Sequence, residues 1–389
     1  MNYELPLPQS YHKSKGLFPL GAALLLIVAG LLGCLAIYSS RAFADESHLF
    51  VFRQILWLAP GIVIFLFAAA IPFRFYRKAA FWLQLAALAA LAGVLFHGTV
   101  INGMRGWFDL GICNLQPSEF AKSFFLLYLC VKCGPRKELT AGFWMQLLMM
   151  AILTGGLVMA EPDYGGTMVF FLIFLLVSVL NGAKLHYLMT AGGVMFLGTL
   201  FFLLSNDYAM FRIVGFLNPE SAGGWHIRQF QYTLAHGGWT GSDWGNALWS
   251  GSFLPLPHTD SLFASIVEST GFLGGLLVIG GFLAMSIAFC SLSWKVRGDN
   301  HDRRCFIFSA GALYLMQALI HISVNCVLIP PTGVTLPILS YGGSSLLSVL
   351  LTFGIAFSAA RSDESETLST VPQTTGGEPH TDRQEFPRS

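Results

Sequence analysis

The feature that most restricts this chain is a series of apolar windows, each about the 20 residues a helix needs to cross the hydrocarbon of a bilayer. They centre on 17–39, 50–72, 79–97, 116–133, 141–160, 164–181, 186–204, 263–292, 306–327 and 344–360. Backbone N–H and C=O groups in hydrocarbon need internal partners, so such windows are read as helices. The expected fold is an all-α integral membrane protein with about ten transmembrane helices. Charged residues make up only 11% of the chain, hydrophobic ones 54%, and the mean hydropathy is +0.62, which excludes an ordinary soluble domain. The first window is too long for a cleaved signal and is not followed by a small-residue cleavage site and soluble domain. The net charge of +1 says nothing about nucleic acid, but a polyanion binder needs clustered Lys and Arg and here they are scattered, so no nucleic-acid partner is expected.

Basic residues fix the expected threading, because cytoplasmic loops carry the excess of Lys and Arg. With the N-terminus in the cytoplasm, Lys13, Lys15, Arg74, Arg77, Lys78, Lys132, Arg136, Lys137, Lys184, Lys295, Arg297, Arg303, Arg304 and Arg361 fall inside. Arg41, Arg53, Arg105, Arg212 and Arg228 fall outside. An even number of spans returns the C-terminus to the cytoplasm. The expected organisation is a cytoplasmic N-terminal segment 1–16, a polytopic membrane domain 17–361 and a polar tail 362–389 whose composition predicts disorder. The long outer loop 205–262 precedes the eighth span. It carries Trp225, Trp239, Trp244 and Trp249, which suit either headgroup depth or substrate binding. The seven cysteines sit mostly in apolar runs and read as small buried hydrophobes; the lone Cys130/Cys133 pair has no second ligand pair for a metal.

Polar residues gather where burial is costly. In "GWFDLGICNLQPSEFAK", Glu119 and Lys122 are three apart on one helix face. An isolated Lys in a bilayer costs roughly 2.5–3.5 kcal/mol on insertion scales, so Lys122 either pairs with Glu119 or faces a cavity. In "EPDYGGT", Asp163 reads first as a helix N-cap behind Glu161. "PTGVTLPILSYGGSSLL" is broken by Pro and Gly before the last span and reads as a cavity lining. "LPLPHTDSLF" places His258, Thr259 and Asp260 where the long loop meets a span, with Glu268 two turns further in. Asp260 suits an N-cap and a general base equally well.

Together, "GWFDLGICNLQPSEFAK", "EPDYGGT", "RIVGFLNP", "GGWTGSDWGNA", "LPLPHTDSLFASIVESTGFLG" and "LPILSYGGSSLL" resemble the SEDS family of bacterial cell-wall synthesis, RodA, FtsW and SpoVE, over residues 17 to 361. The resemblance implies a peptidoglycan glycosyltransferase that polymerises lipid II on the outer face of the cytoplasmic membrane. It implies a class B penicillin-binding transpeptidase as partner, alongside other division or elongation membrane proteins. It implies Asp260 as the catalytic residue, within the motif of His258 and Thr259, and Trp107, Glu119 and Lys122 as cavity lining. "YGGSS" and "GNA" resemble the division and sporulation branch; "NPES" is closer to elongation members. The chain departs from the family pattern at Leu256, where relatives carry Glu, at Ser261 in place of Phe, and at Gly106 in place of Arg.

The chemistry follows from the substrate. A sugar hydroxyl must attack an anomeric carbon while a lipid pyrophosphate leaves. A carboxylate within hydrogen-bond reach accepts the proton, a role for Asp260. Lys122, Arg212, Arg228 and Arg105 are the cations available for the departing charge. One carboxylate suffices for direct displacement, which inverts the anomeric centre. A divalent cation, Mg or Mn, is compatible, although no cluster has the ligand spacing of a metal site. A lipid-carrier flippase and a non-catalytic scaffold for division proteins are the alternatives. A flippase needs access from both faces, whereas the polar residues here gather on one.

Overall fold

The computed structural model describes residues 10–41, 47–101, 103–111, 113–134, 139–296 and 300–361. The expected disordered tail 362–389, residues 1–9 of the N-terminal segment, and the loop residues Arg136, Lys137 and Arg297 lie outside the described residues. In chain order the elements are α1 (Ser10–Ser40), α2 (Ser47–Ala70), α3 (Phe73–His97), β1 (Thr99–Ile101), β2 (Met104–Asp109), β3 (Asn114–Leu115), α4 (Pro117–Cys133), α5 (Ala141–Ala160) and α6 (Tyr164–Leu180). There follow α7 (Leu185–Ser205), α8 (Asp207–Leu217), α9 (Trp225–Gly237), α10 (Leu248–Ser252), α11 (Leu262–Trp294), α12 (His301–Asn325) and α13 (Gly343–Ala360). Each apolar window of the sequence lies on one long helix. Eight of these are long and apolar enough to cross a membrane. The other two, α4 and α6, have 17 residues each. At about 25 Å they fall short of the hydrocarbon thickness, and both are packed inside the bundle.

Burial sorts the helices into an inner and an outer set. The most apolar windows of α12 and α13 are 72% buried, whereas that of α7 is 6% buried. Inner helices carry polar groups that satisfy one another, as a low-dielectric interior requires. Thr352 on α13 meets Ser123 of α4 at 2.6 Å and Tyr314 of α12 at 2.9 Å. Gln84 of α3 donates to Thr154 of α5 at 2.9 Å. Gly354 lets α13 close on α2, since a Cβ there would meet the Phe65 carbonyl at 2.6 Å.

The connections at one end of the bundle are elaborate. A three-stranded antiparallel sheet in the order β1-β2-β3 joins α3 to α4, with Val100 opposite Arg105 and Phe108 opposite Leu115. The apolar patterning gave no sign of it, because strands this short bury too little to leave a period. The long loop folds into α8, α9 and α10, of which α9 and α10 settle on the first half of α11. Fully buried Glu268 fastens them: it accepts the Trp249 and Ser250 amides at 2.8 and 2.7 Å and meets His236 Nδ1 at 2.8 Å. Beyond Glu268, α11 breaks at Gly271, whose φ of 72° and close approach to the Trp239 carbonyl leave no room for a side chain. Trp225, Trp239 and Trp244 are exposed. At the opposite end, Arg77 Nε contacts Asp302 at 2.6 Å and ties α3 to α12.

Candidate active site

The turn 254–261 is built by its prolines and closed by its own backbone. Pro255 and Pro257 restrict the chain on both sides of Leu256, which is held at φ 48°, a left-handed conformation costing an L-residue about 1–2 kcal/mol. The Leu256 carbonyl accepts the amides of Thr259 at 3.1 Å and Ser261 at 3.2 Å, and Ser261 Oγ donates to the Pro255 carbonyl at 2.6 Å. The turn is stapled to the segment before α13: the Tyr341 amide donates to the His258 carbonyl at 2.9 Å, and Ser340 Oγ to the Thr259 carbonyl at 2.8 Å.

Asp260 does not cap α11. The first amides of that helix are satisfied from α12, with Ala264 donating to Asn325 Oδ1 at 3.0 Å and Phe263 to His321 Nε2 at 3.3 Å. Asn325 Nδ2 donates to the Asp260 carbonyl at 3.0 Å, fixing its backbone. With the orphan donors supplied elsewhere, the Asp260 carboxylate is left to a cavity of about 1270 Å³.

That cavity also takes Thr259, Arg212, Trp107, Glu119, Lys122 and Asp163 into its walls. Lys122 Nζ lies 2.8 Å from Glu119 Oε1, and both are buried, so the pair exists and lines the cavity at once. Asp163 likewise does two things: its Oδ1 accepts the Gly166 amide at 2.7 Å as N-cap of α6, and it lines the wall. Ser344 and Ser345 line it from the start of α13, as the broken stretch there led one to expect.

Three of the expected site residues stand outside these walls. Arg105 is exposed on β2 and reaches back to the Leu95 carbonyl at 3.3 Å. Arg228 donates to the Pro219 carbonyl within the long loop. His258 is buried behind the turn, its Nδ1 3.4 Å from Arg41 and its ring 4.7 Å from Phe50. Arg105 and Arg228 are drawn away by carbonyls of the local chain, and His258 by Arg41 and Phe50 from the α1–α2 region. The tryptophans of the long loop do not line the cavity either. Conversely, Arg53 lines it with Leu56, Trp57 and Pro60, a stripe at helical spacing on α2. An arginine near the outer end of an apolar span was the signal that marks it.

Burial raises the Asp260 carboxyl above its ordinary value; the Arg212 guanidinium and a hydrogen bond from Thr259 pull the other way. Burial also pushes Asp163 up to about 6, against the Gly166 amide and Lys122, with Glu119 and Asp260 adding to the rise. His258 is driven down to about 4 by burial and by Arg41, so it is neutral at physiological pH. Among the described residues, no three His, Cys, Asp or Glu side chains are grouped to hold a metal ion.

Comparisons with known proteins bear on this geometry. The sequence profile of the family described as cell cycle protein, FtsW/RodA/SpoVE, matches residues 19–365. A protein of Pseudoalteromonas translucida named "Probable peptidoglycan glycosyltransferase FtsW" is 30% identical over 351 residues, 87% of this chain and 86% of that one. One of the same name from Aliivibrio salmonicida is 33% identical over 321 residues, 79% of each. Among solved structures, a chain from work on the structural coordination of polymerization and crosslinking by a peptidoglycan synthase complex superposes with a TM-score of 0.73. It is 26% identical, with 87% of this chain and 96% of that one covered. The rod shape determining protein RodA of Thermus thermophilus shares the fold, with a TM-score of 0.65 at 24% identity over 87% of this chain and 95% of that one.

Proposed function

The chain belongs to the cell cycle protein family of FtsW, RodA and SpoVE, and from that premise we propose that it is a peptidoglycan glycosyltransferase polymerising lipid II. The observation that carries the reading is a carboxylate, Asp260, released from helix capping and opening on a cavity that also presents Lys122, Arg212 and Arg53. Ionised Asp260 accepts the proton of the acceptor hydroxyl as its oxygen bonds to the anomeric carbon of the donor. The C–O bond to the lipid pyrophosphate breaks on the opposite face, and the centre inverts. Arg212, the cation acting directly on Asp260, and Lys122 offset the charge gathering on the leaving group. A divalent cation, Mg or Mn, is compatible with this site when shared between a cavity carboxylate and substrate phosphates, the way Mg is commonly held; it would supply further offsetting charge there.

The finer setting belongs to the same proposal. The relatives named FtsW and the "YGGSS" of Tyr341 to Ser345 support a role in cell division. A neighbour taken from a complex of polymerization and crosslinking supports a partner transpeptidase of the class B penicillin-binding type. The excess of Lys and Arg at the end of the bundle away from the cavity supports both termini in the cytoplasm, in the bacterial cytoplasmic membrane. A flippase is disfavoured because, among the described residues, the cavity takes no lining from the connections at that other end.

The test is polymerisation of labelled lipid II by the purified chain, alone and with its partner. Wild type is expected to form glycan polymer, and Asp260→Asn to lose at least about 100-fold in rate at normal membrane levels. An Asn variant polymerising at the wild-type rate would overturn the assignment of the base. No polymer under any partner condition would overturn the function.

A further inference from the structure

The short connection between α5 and α6 holds two carboxyl groups in opposite circumstances. Asp163 is committed: it faces the cavity, accepts the Gly166 amide at 2.7 Å, and sits at the positive end of α6. Glu161, two residues earlier, is fully buried, does not line the cavity, and neither of its carboxyl oxygens has a hydrogen-bond partner. It occupies a notch beneath β2 that exists because position 106 is glycine, where a Cβ would stand 3.0 Å from Glu161 Oε2.

Among the described residues, no neighbouring charge compensates an ionised Glu161. β2 presents Gly106, and around it Met104, to this carboxyl, while Arg105 on the same strand turns away to the Leu95 carbonyl. Lys122 and Glu119 of α4, and Asp260 from the turn before α11, act on Asp163 instead. Two carboxyls this close in a buried setting do not both ionise readily, and the proton goes to the one whose charged form is least supported. Asp163 has a helix terminus, an amide and a lysine. Glu161 has none of these.

We propose that Glu161 is a positioning residue: as a neutral carboxylic acid it carries the proton of the Glu161–Asp163 pair, so that Asp163 alone is ionised against the substrate cavity. This rests on the reading of the cavity as the site of a lipid-linked diphosphate. An ionised Glu161 would set a second negative charge behind the wall that receives an anionic substrate, and would oppose the charge on Asp163 that holds the start of α6. Burial and Asp163 push Glu161 up to about 9, so the arrangement holds at neutral pH and fails in alkali.

The experiment uses the full chain in detergent or liposomes and two readouts. The first is infrared difference spectroscopy of a shift from about pH 7 to about pH 10: wild type should lose a protonated-carboxyl carbonyl band that Glu161→Gln lacks throughout. The second is lipid II polymerisation against pH. Wild type should fall about tenfold per pH unit above about 9, and Glu161→Gln, a permanently neutral isostere, should polymerise at neutral pH and lose that limb. A limb contributed by any other group would appear in both proteins and cancel in the comparison. Superimposable alkaline limbs, a wild type without the carbonyl band, or inactivity of the Gln variant at neutral pH would each overturn the proposal. The band without polymerisation by wild type at any pH would sink the functional reading and leave the protonation of Glu161 standing.

Discussion

At the scale of single residues, the site is decided by which polar groups are already engaged. Lys122 and Glu119 form a buried pair at 2.8 Å inside the cavity wall, and removing one partner of such a pair costs about 3–5 kcal/mol of stability. Lys122→Met is therefore expected to lower both the melting temperature and turnover, the latter by about tenfold or more. Adding Glu119→Gln should restore the melting temperature but not the turnover, because the share of offsetting charge that Lys122 supplies beside Arg212 is then still missing. A double-mutant cycle on both quantities checks this, and full rescue of turnover would reduce the pair to structure. Leu256 lines the same cavity as Asp260, and a carboxylate placed there would disfavour ionisation of its neighbour. Since the ionised form of Asp260 is the base and its pKa is already raised by burial, Leu256→Glu should move the acidic limb of activity to higher pH. Rate against pH for the two proteins measures the displacement; coincident limbs would mean that position 256 does not act on Asp260.

At the scale of elements, α12 prepares the catalytic end of α11. Asn325 accepts from the Ala264 amide and donates to the Asp260 carbonyl, while His321 takes the Phe263 amide on one nitrogen and meets the Val334 carbonyl at 2.8 Å on the other. One face of α12 thus holds both the base turn and the segment that follows. Asn325→Ala leaves a buried amide and a carbonyl unpaired and should cost about 1–3 kcal/mol. Because the backbone of Asp260 is then released, turnover should fall by more than the loss of folded protein explains. Thermal unfolding beside activity per folded molecule gives the comparison. Equal losses in the two would mean that Asn325 only stabilises.

At the scale of the whole molecule, the bundle is open at one end and tied at the other. The cavity draws its walls from the β-sheet, the α5–α6 connection, α8, the turn before α11 and the segment before α13, all at one end. Arg77 and Asp302 close the far end across α3 and α12. Among its described residues, the protein lends no cavity lining from the loops at that far end. Reconstituted in sealed liposomes with fluorescent lipid II in the outer leaflet, it is expected to leave the label accessible to a membrane-impermeant quencher when polymerisation is blocked by Asp260→Asn. Protection of the label from the quencher would revive a transport role.

The spans were legible in the sequence because hydrocarbon admits only a continuous apolar run with its backbone satisfied within the helix. The long loop before the eighth span and the short motifs around Asp260, Lys122 and Asp163 were legible for a similar reason: polar residues in such a chain are few enough to stand out. Direction and partnership were not. Whether Asp260 caps a helix or faces a cavity depends on Asn325 and His321, 61 and 58 residues away from the amides they take. That Arg228, Arg105 and His258 turn from the cavity while Arg53 enters it follows from which partner lies within reach of each side chain, a matter of distances in the folded chain. Hydrophobicity is a property of each residue and accumulates along the chain; the engagement of a polar group is a property of pairs, and only packing brings the pairs together.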